Sequence, residues 1–94
     1  MPGVKYRFAA TESFWEAFYA LPALQKESAR AAWLIFKEDP FDPRLRTHKI
    51  HRLSALMRQT VFALVIEGDL RAVFYIEGGA VISFNIGSHA VYRQ

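Results

Sequence analysis

The sequence contains no cysteine, so a disulfide framework and thiolate metal ligation are both excluded. No apolar run approaches the roughly 18 residues of a membrane span, and no membrane partner is expected. The first residues lack the basic-then-apolar pattern of a signal peptide, which makes the cytoplasm the expected location. A Gly-x-Ser-x-Gly turn is missing too, and Ser88 sits beside His89 rather than being presented to it, so a serine triad is not supported. Gly68, Gly78, Gly79 and Gly87 do not precede a helix, which argues against a phosphate-cradling loop. Acids are absent between Pro43 and Ile66, whereas Arg44, Arg46, Lys49, Arg52 and Arg58 fall there with His48 and His51. Residues 43–94 carry seven Lys/Arg against three Asp/Glu, a net of +4, while residues 1–42 carry five against six. A basic surface of this kind attracts phosphates or acidic peptides.

What is present is apolar and β-rich. At 52% hydrophobic and 22% charged, 94 residues are enough for one core, and residues 1–94 are expected to form one domain. Val61–Glu67, Leu70–Glu77 and Ala80–Ile86 are rich in Val, Ile, Phe and Tyr and predict three consecutive strands. Gly68-Asp69 and Gly78-Gly79 supply the positive φ angles of two tight hairpin turns.

Upstream, Val4–Phe8 alternates apolar and basic residues and predicts a strand. Thr11 or Ser13 caps a short helix, and Ser13-Phe14-Trp15-Glu16 fits a capping box. Phe14, Phe18 and Leu21 form its apolar stripe, with Trp15 on the flank, and Leu21-Pro22 breaks it. A longer helix is predicted over roughly 23–38, with Leu24, Ser28, Ala31 and Ile35 inward, Ala32 beside them, and Lys26, Arg30 and Lys37 outward. Trp33 falls among the basic residues and is expected against the first helix or a chain end. Two Asp-Pro signals, Asp39-Pro40 and Asp42-Pro43, end this helix, and their carboxylates read as turn caps rather than a catalytic pair. Thr47–Leu53 reads as a further strand or extended segment, and residues 54–60 as a loop. In an extended segment, three-residue spacing turns His48 and His51 to opposite faces, so they cannot share an ion; neither metal nor cofactor is expected. The predicted fold is α+β, a small antiparallel sheet with an N-terminal helical hairpin packed on one face, in the order β-α-α-β-β-β-β.

A core does not explain the polar residues Arg71 and His89. Antiparallel pairing through Gly78-Gly79 places Arg71 opposite about Ile86, with His89 just beyond the same end of the sheet and Tyr92 three residues later. A guanidinium, an imidazole and a phenol beside a basic segment suit phosphodiester cleavage in RNA. The alternatives are a strand-edge salt bridge from Arg71 to Asp69 or Glu67, and a plain surface histidine at 89.

Residues 43–50 (PRLRTHKI), 69–75 (DLRAVFY) and 86–92 (IGSHAVY) resemble the RelE/ParE superfamily of bacterial toxins, and the likeness extends over nearly the whole chain. The resemblance implies a toxin held by a cognate antitoxin in a hetero-oligomer. Its target would be mRNA on the ribosome for RelE-like members, which cleave without a metal, or DNA gyrase for ParE-like members. It implies Arg71 against the scissile phosphate, His89 in proton transfer and Tyr92 orienting the nucleotide. Asp69 would be an accessory acid, and Arg46, His48, Lys49, His51 and Arg52 would contact RNA. Phe62–Ile66 carries no charge where RelE has two lysines, which leaves two alternatives open: a gyrase inhibitor, or a relative that only binds a partner.

Overall fold

The three β-rich runs form the centre of the sheet in the computed structural model, which describes residues 5–92. Strands β3 (Val61–Glu67) and β4 (Leu70–Glu77) have the expected bounds, and β5 (Ala80–Gly87) runs one residue past the expected end at Ile86. Gly78 and Gly79 both take positive φ, 57° and 80°, as a two-residue hairpin with the twist of its flanking strands requires. Strand β1 (Arg7–Ala10) pairs with β5, and β2 (His48–Lys49) pairs with β3, giving the order β1-β5-β4-β3-β2. The meander is antiparallel as expected, but β1 runs parallel to β5 (Arg7 beside Ala80), so the whole sheet is mixed. Val4, where the first strand was expected to begin, lies outside the described residues.

Helix α1 (Glu12–Tyr19) starts at Thr11, whose Oγ1 accepts from the Phe14 N–H at 3.2 Å. The expected capping box at Ser13 does not form, because the Ser13 hydroxyl donates to the Phe84 carbonyl and ties the helix start to β5. Helix α2 (Ala23–Phe36) turns a different track inward from the expected one. Ala29, Ala32 and Phe36 are buried, while Leu24 is 76% exposed. Small alanines let the helix approach the sheet closely, and Phe36 then meets Phe74 of β4 edge to face at 5.1 Å. Trp33 packs edge to face on Phe8 of β1 rather than on α1. Asp39 and Asp42 accept from the N–H groups of Phe41 and Arg44, each at 2.9 Å, as turn caps do.

The hairpin α1–α2 covers one face, over Leu64, Ala72, Phe74, Val81 and Ile86. The opposite face is covered as well. Helix α3 (His51–Met57) occupies the span expected to be extended chain and loop. Its signal is the spacing of Ile50, Leu53 and Met57, which pack on Val61, Ala63 and Val73 of that second face. Seven residues give too short a period to stand out, and Ser54 at the centre obscures it. Ser54 Oγ donates to the Ile50 carbonyl at 2.7 Å and accepts from the N–H of fully buried Val61 at 2.8 Å. Ser54→Ala orphans that N–H and is expected to cost about 1–3 kcal/mol. Urea unfolding would measure this, and a change within the noise would mean another acceptor replaces the hydroxyl.

Candidate active site and nucleic-acid interface

Register decides what stands beside Arg71. Between β4 and β5 the inner pairs, such as Phe74 with Ser83, keep the expected offset, but Val73 pairs with Asn85 and Phe84 is left as a bulge. The extra residue shifts the end of the strand by one. Arg71 therefore faces Gly87, not Ile86, and on its other side it faces Val65 of β3. Alternation puts Arg71 on the face of Val73, opposite the helical hairpin.

The Arg71 guanidinium is held at one end only. Its Nη1 donates to the carbonyls of Gly68 (2.7 Å) and Leu70 (3.3 Å), and no ion pair to Asp69 or Glu67 forms. Glu67 instead accepts from the Ser28 hydroxyl of α2. Nε of Arg71 is buried without a hydrogen-bond partner among the described residues. An unpaired buried polar group of this kind costs about 1–3 kcal/mol. The simple salt-bridge explanation of Arg71 thus fails.

Beyond Gly87 the chain closes a short 3-10 turn, His89–Tyr92, which lies against β4 and β5. Ser88 holds the turn: its hydroxyl accepts from the Ala90 N–H at 3.3 Å and its carbonyl from the Val91 N–H at 2.9 Å. His89 is half-buried there, next to the strand that carries Arg71. Tyr92 ends the turn, and the expectation for its ring lies outside the described side chains.

The basic segment lines the other edge of this face. His48 pairs with Ala63, which pairs with Val73, so His48 shares the Arg71 face. Strand spacing puts the two Cα atoms roughly 12 Å apart. His48 Nδ1–H donates to the Arg46 carbonyl at 2.8 Å, since a carbonyl can only accept. Arg46 adopts the left-handed conformation (φ 51°) at the same end of the sheet as Arg71. Lys49 is exposed on β2, and His51 and Arg52 are exposed at the start of α3, so the expected continuous strand through His51 does not form. Arg46, Lys49 and Arg52 make no ion pair among the described residues. Asp69 is exposed in the β3–β4 turn. No group of three His, Asp or Glu gathers at metal-binding spacing among the described residues, and no helix there is long and apolar enough to cross a membrane.

Arg44 is already engaged. It grips Asp42 through Nε (3.0 Å) and Nη2 (2.9 Å) and lowers that carboxyl from 3.8 to about 2. A depressed folded-state pKa contributes stability that is present above about 3.8 and lost as pH falls through about 2. The difference in thermal unfolding between wild type and Asp42→Asn should thus hold from neutral pH to about 4 and shrink below it. A difference that persists at the acid end would assign it to the turn cap instead.

A cleft of about 480 Å³ opens on the other side of the sheet, between α1, α2 and β1. Its walls are apolar, and Trp15, Tyr19 and Trp33 line it while 45, 66 and 44% exposed. Arg30 lies there, 5.6 Å above the Phe18 ring, and forms no ion pair among the described residues. The sequence put Trp15 on the flank of the first helix and Trp33 among basic residues; their place on one shared rim depends on how α1, α2 and β1 pack.

A mixed five-stranded sheet with a helical hairpin on one face is a fold this chain shares with solved RelE and YafQ toxins. The chain is similar to one in the archaeal RelE–RelB complex from Pyrococcus horikoshii, with a TM-score of 0.68 and 12% identity over 89% of this chain and 94% of that one. It is similar to YafQ from E. coli (0.66, 11% identity, 95% and 99% covered). A copper-bound mutant toxin from Helicobacter pylori is also similar (0.64, 17% identity, 92% and 97% covered). No protein-family model and no curated protein matches the sequence.

Proposed function

We propose that this protein is the toxin of a toxin–antitoxin pair, a metal-independent endoribonuclease that cuts mRNA on the ribosome in the cytoplasm. One observation carries the reading: Arg71 sits half-buried on the central strand β4, without a carboxylate partner among the described residues, beside the turn that bears His89. In the reaction a base takes the proton of a 2′-hydroxyl, the 2′-oxygen attacks phosphorus, and the bond to the 5′-oxygen breaks as an acid protonates it. Arg71 stabilises the charge on phosphorus, and His89 carries one of the protons. His48, the other imidazole whose register puts it on this face, is the candidate for the second. Tyr92 orients the nucleotide, and Asp69 lies at the margin.

The cation row Arg46, Lys49 and Arg52, with His48 and His51, holds the RNA backbone. Neutralising Lys49 and Arg52 together should weaken ribosome binding and lower the log–log salt slope by roughly 0.7–0.9 per residue. An unchanged slope would remove this edge from the interface. The antitoxin supplies apolar side chains to the cleft between α1 and α2 and an acid to Arg30. Exposed tryptophan, tyrosine and arginine around an apolar centre have the composition of a binding hot spot.

A second reading has its own support. The neighbours of Arg71 across both strands are Val65 and Gly87, so the strands add no further charge at this row, and a non-catalytic gyrase inhibitor fits that. Pulse labelling after induction separates them, with and without a co-expressed candidate antitoxin. Under the ribonuclease reading protein synthesis stops first and the partner restores it. Early arrest of DNA synthesis would favour the gyrase reading.

A further inference from the structure

Gly87 poses a question the turns do not answer. Gly68, Gly78 and Gly79 take positive φ, but Gly87 does not, so its backbone would accept any residue. What forbids a side chain there is Val91. A Cβ on Gly87 would lie 2.9 Å from Val91 Cγ1, closer than real carbons approach.

Val91 cannot readily move away. It is β-branched, with few χ1 choices, and it packs on the cluster of Ile50, Val61, Ala63 and Val73 under α3. Gly87 is itself fixed as the backbone partner of Arg71. His89 lies midway between the two, in a turn where Ser88 accepts from the N–H groups of Ala90 and Val91. From this we infer that Gly87 and Val91 are positioning residues: the isopropyl group of Val91 seats in the space left by the missing side chain and fixes the His89 turn against the Arg71 strand. This rests on the ribonuclease reading for its kinetic consequence, but the seat is a property of the chain alone.

The contact predicts a size swap. Gly87→Ala forces Val91 out of its seat, and Val91→Ala empties the seat. In the double variant the new methyl at 87 occupies the space vacated by the Val91 methyls. Each single variant should shift and broaden the His89 imidazole NMR resonances, and the double variant should return them toward wild type. Turnover should follow the same order. Gly87→Ala should lower kcat by about 10²-fold, as expected for a catalytic group displaced by about 1 Å. KM should stay near wild type because the basic edge is untouched, and the double variant should recover most of the loss, a strong non-additivity.

Additive losses in the double variant, or unmoved His89 resonances in Gly87→Ala, would overturn the inference. If Gly87→Ala does not fold, Val91→Ala carries the test, and unchanged imidazole resonances there would overturn it equally. If the resonances follow the size swap while wild type cleaves nothing, the seat stands and the ribonuclease reading falls.

Discussion

His89→Ala is expected to lower cleavage of ribosome-bound mRNA by about 10²–10⁴-fold, the usual contribution of a positioned acid or base. Stability should change by no more than about 1 kcal/mol, the worth of a typical hydrogen bond. The turn that carries His89 is held by Ser88 and by Val91, neither of which the substitution touches. Antitoxin binding at the cleft should persist, because the cleft lies across the sheet from this turn. The measurement is primer extension on a message translated with each variant, beside thermal unfolding. Full cutting by His89→Ala would exclude the imidazole as proton carrier and shift the balance to the gyrase reading.

Arg71→Lys should be nearly as damaging, although the charge is kept. A lysine has a single ammonium and cannot present the two parallel N–H groups of the guanidinium edge while also reaching the Gly68 and Leu70 carbonyls. Loss of one such stabilising donor costs about 10²–10³ in kcat. Ribosome affinity should hold, since Arg46, Lys49 and Arg52 remain. Arg71→Ala frees the two carbonyls as well, so the lysine variant separates chemistry from folding more cleanly. Were Arg71→Lys to cleave as wild type does, a point charge would suffice and the fork geometry would have no role.

Much of this protein was legible in its sequence because the information was local. Apolar β-branched runs punctuated by Gly68-Asp69 and Gly78-Gly79 specify hairpins by turn chemistry and period, and β3 and β4 have the bounds read from them, with β5 one residue longer. Asp39 and Asp42 cap amides two residues away, an interaction that needs nothing distant. The singularity of Arg71 and His89 was visible as polarity in an apolar setting.

The tertiary structure decided what depends on residues far apart in the chain. One bulged residue, Phe84, moves Arg71 from Ile86 to Gly87; hairpin arithmetic has no means of counting it. Helix α3 forms because Ile50, Leu53 and Met57 find an apolar face on β3 and β4, and seven isolated residues would not nucleate a helix. Which stripe of α2 turns inward was settled by how closely alanines let it approach Phe74, not by the larger Leu24. Gly87 looks like a strand-end glycine until Val91 comes to rest on it. Periodicity reports which residues prefer to be buried, whereas the partner that buries each of them is chosen only when the chain closes on itself.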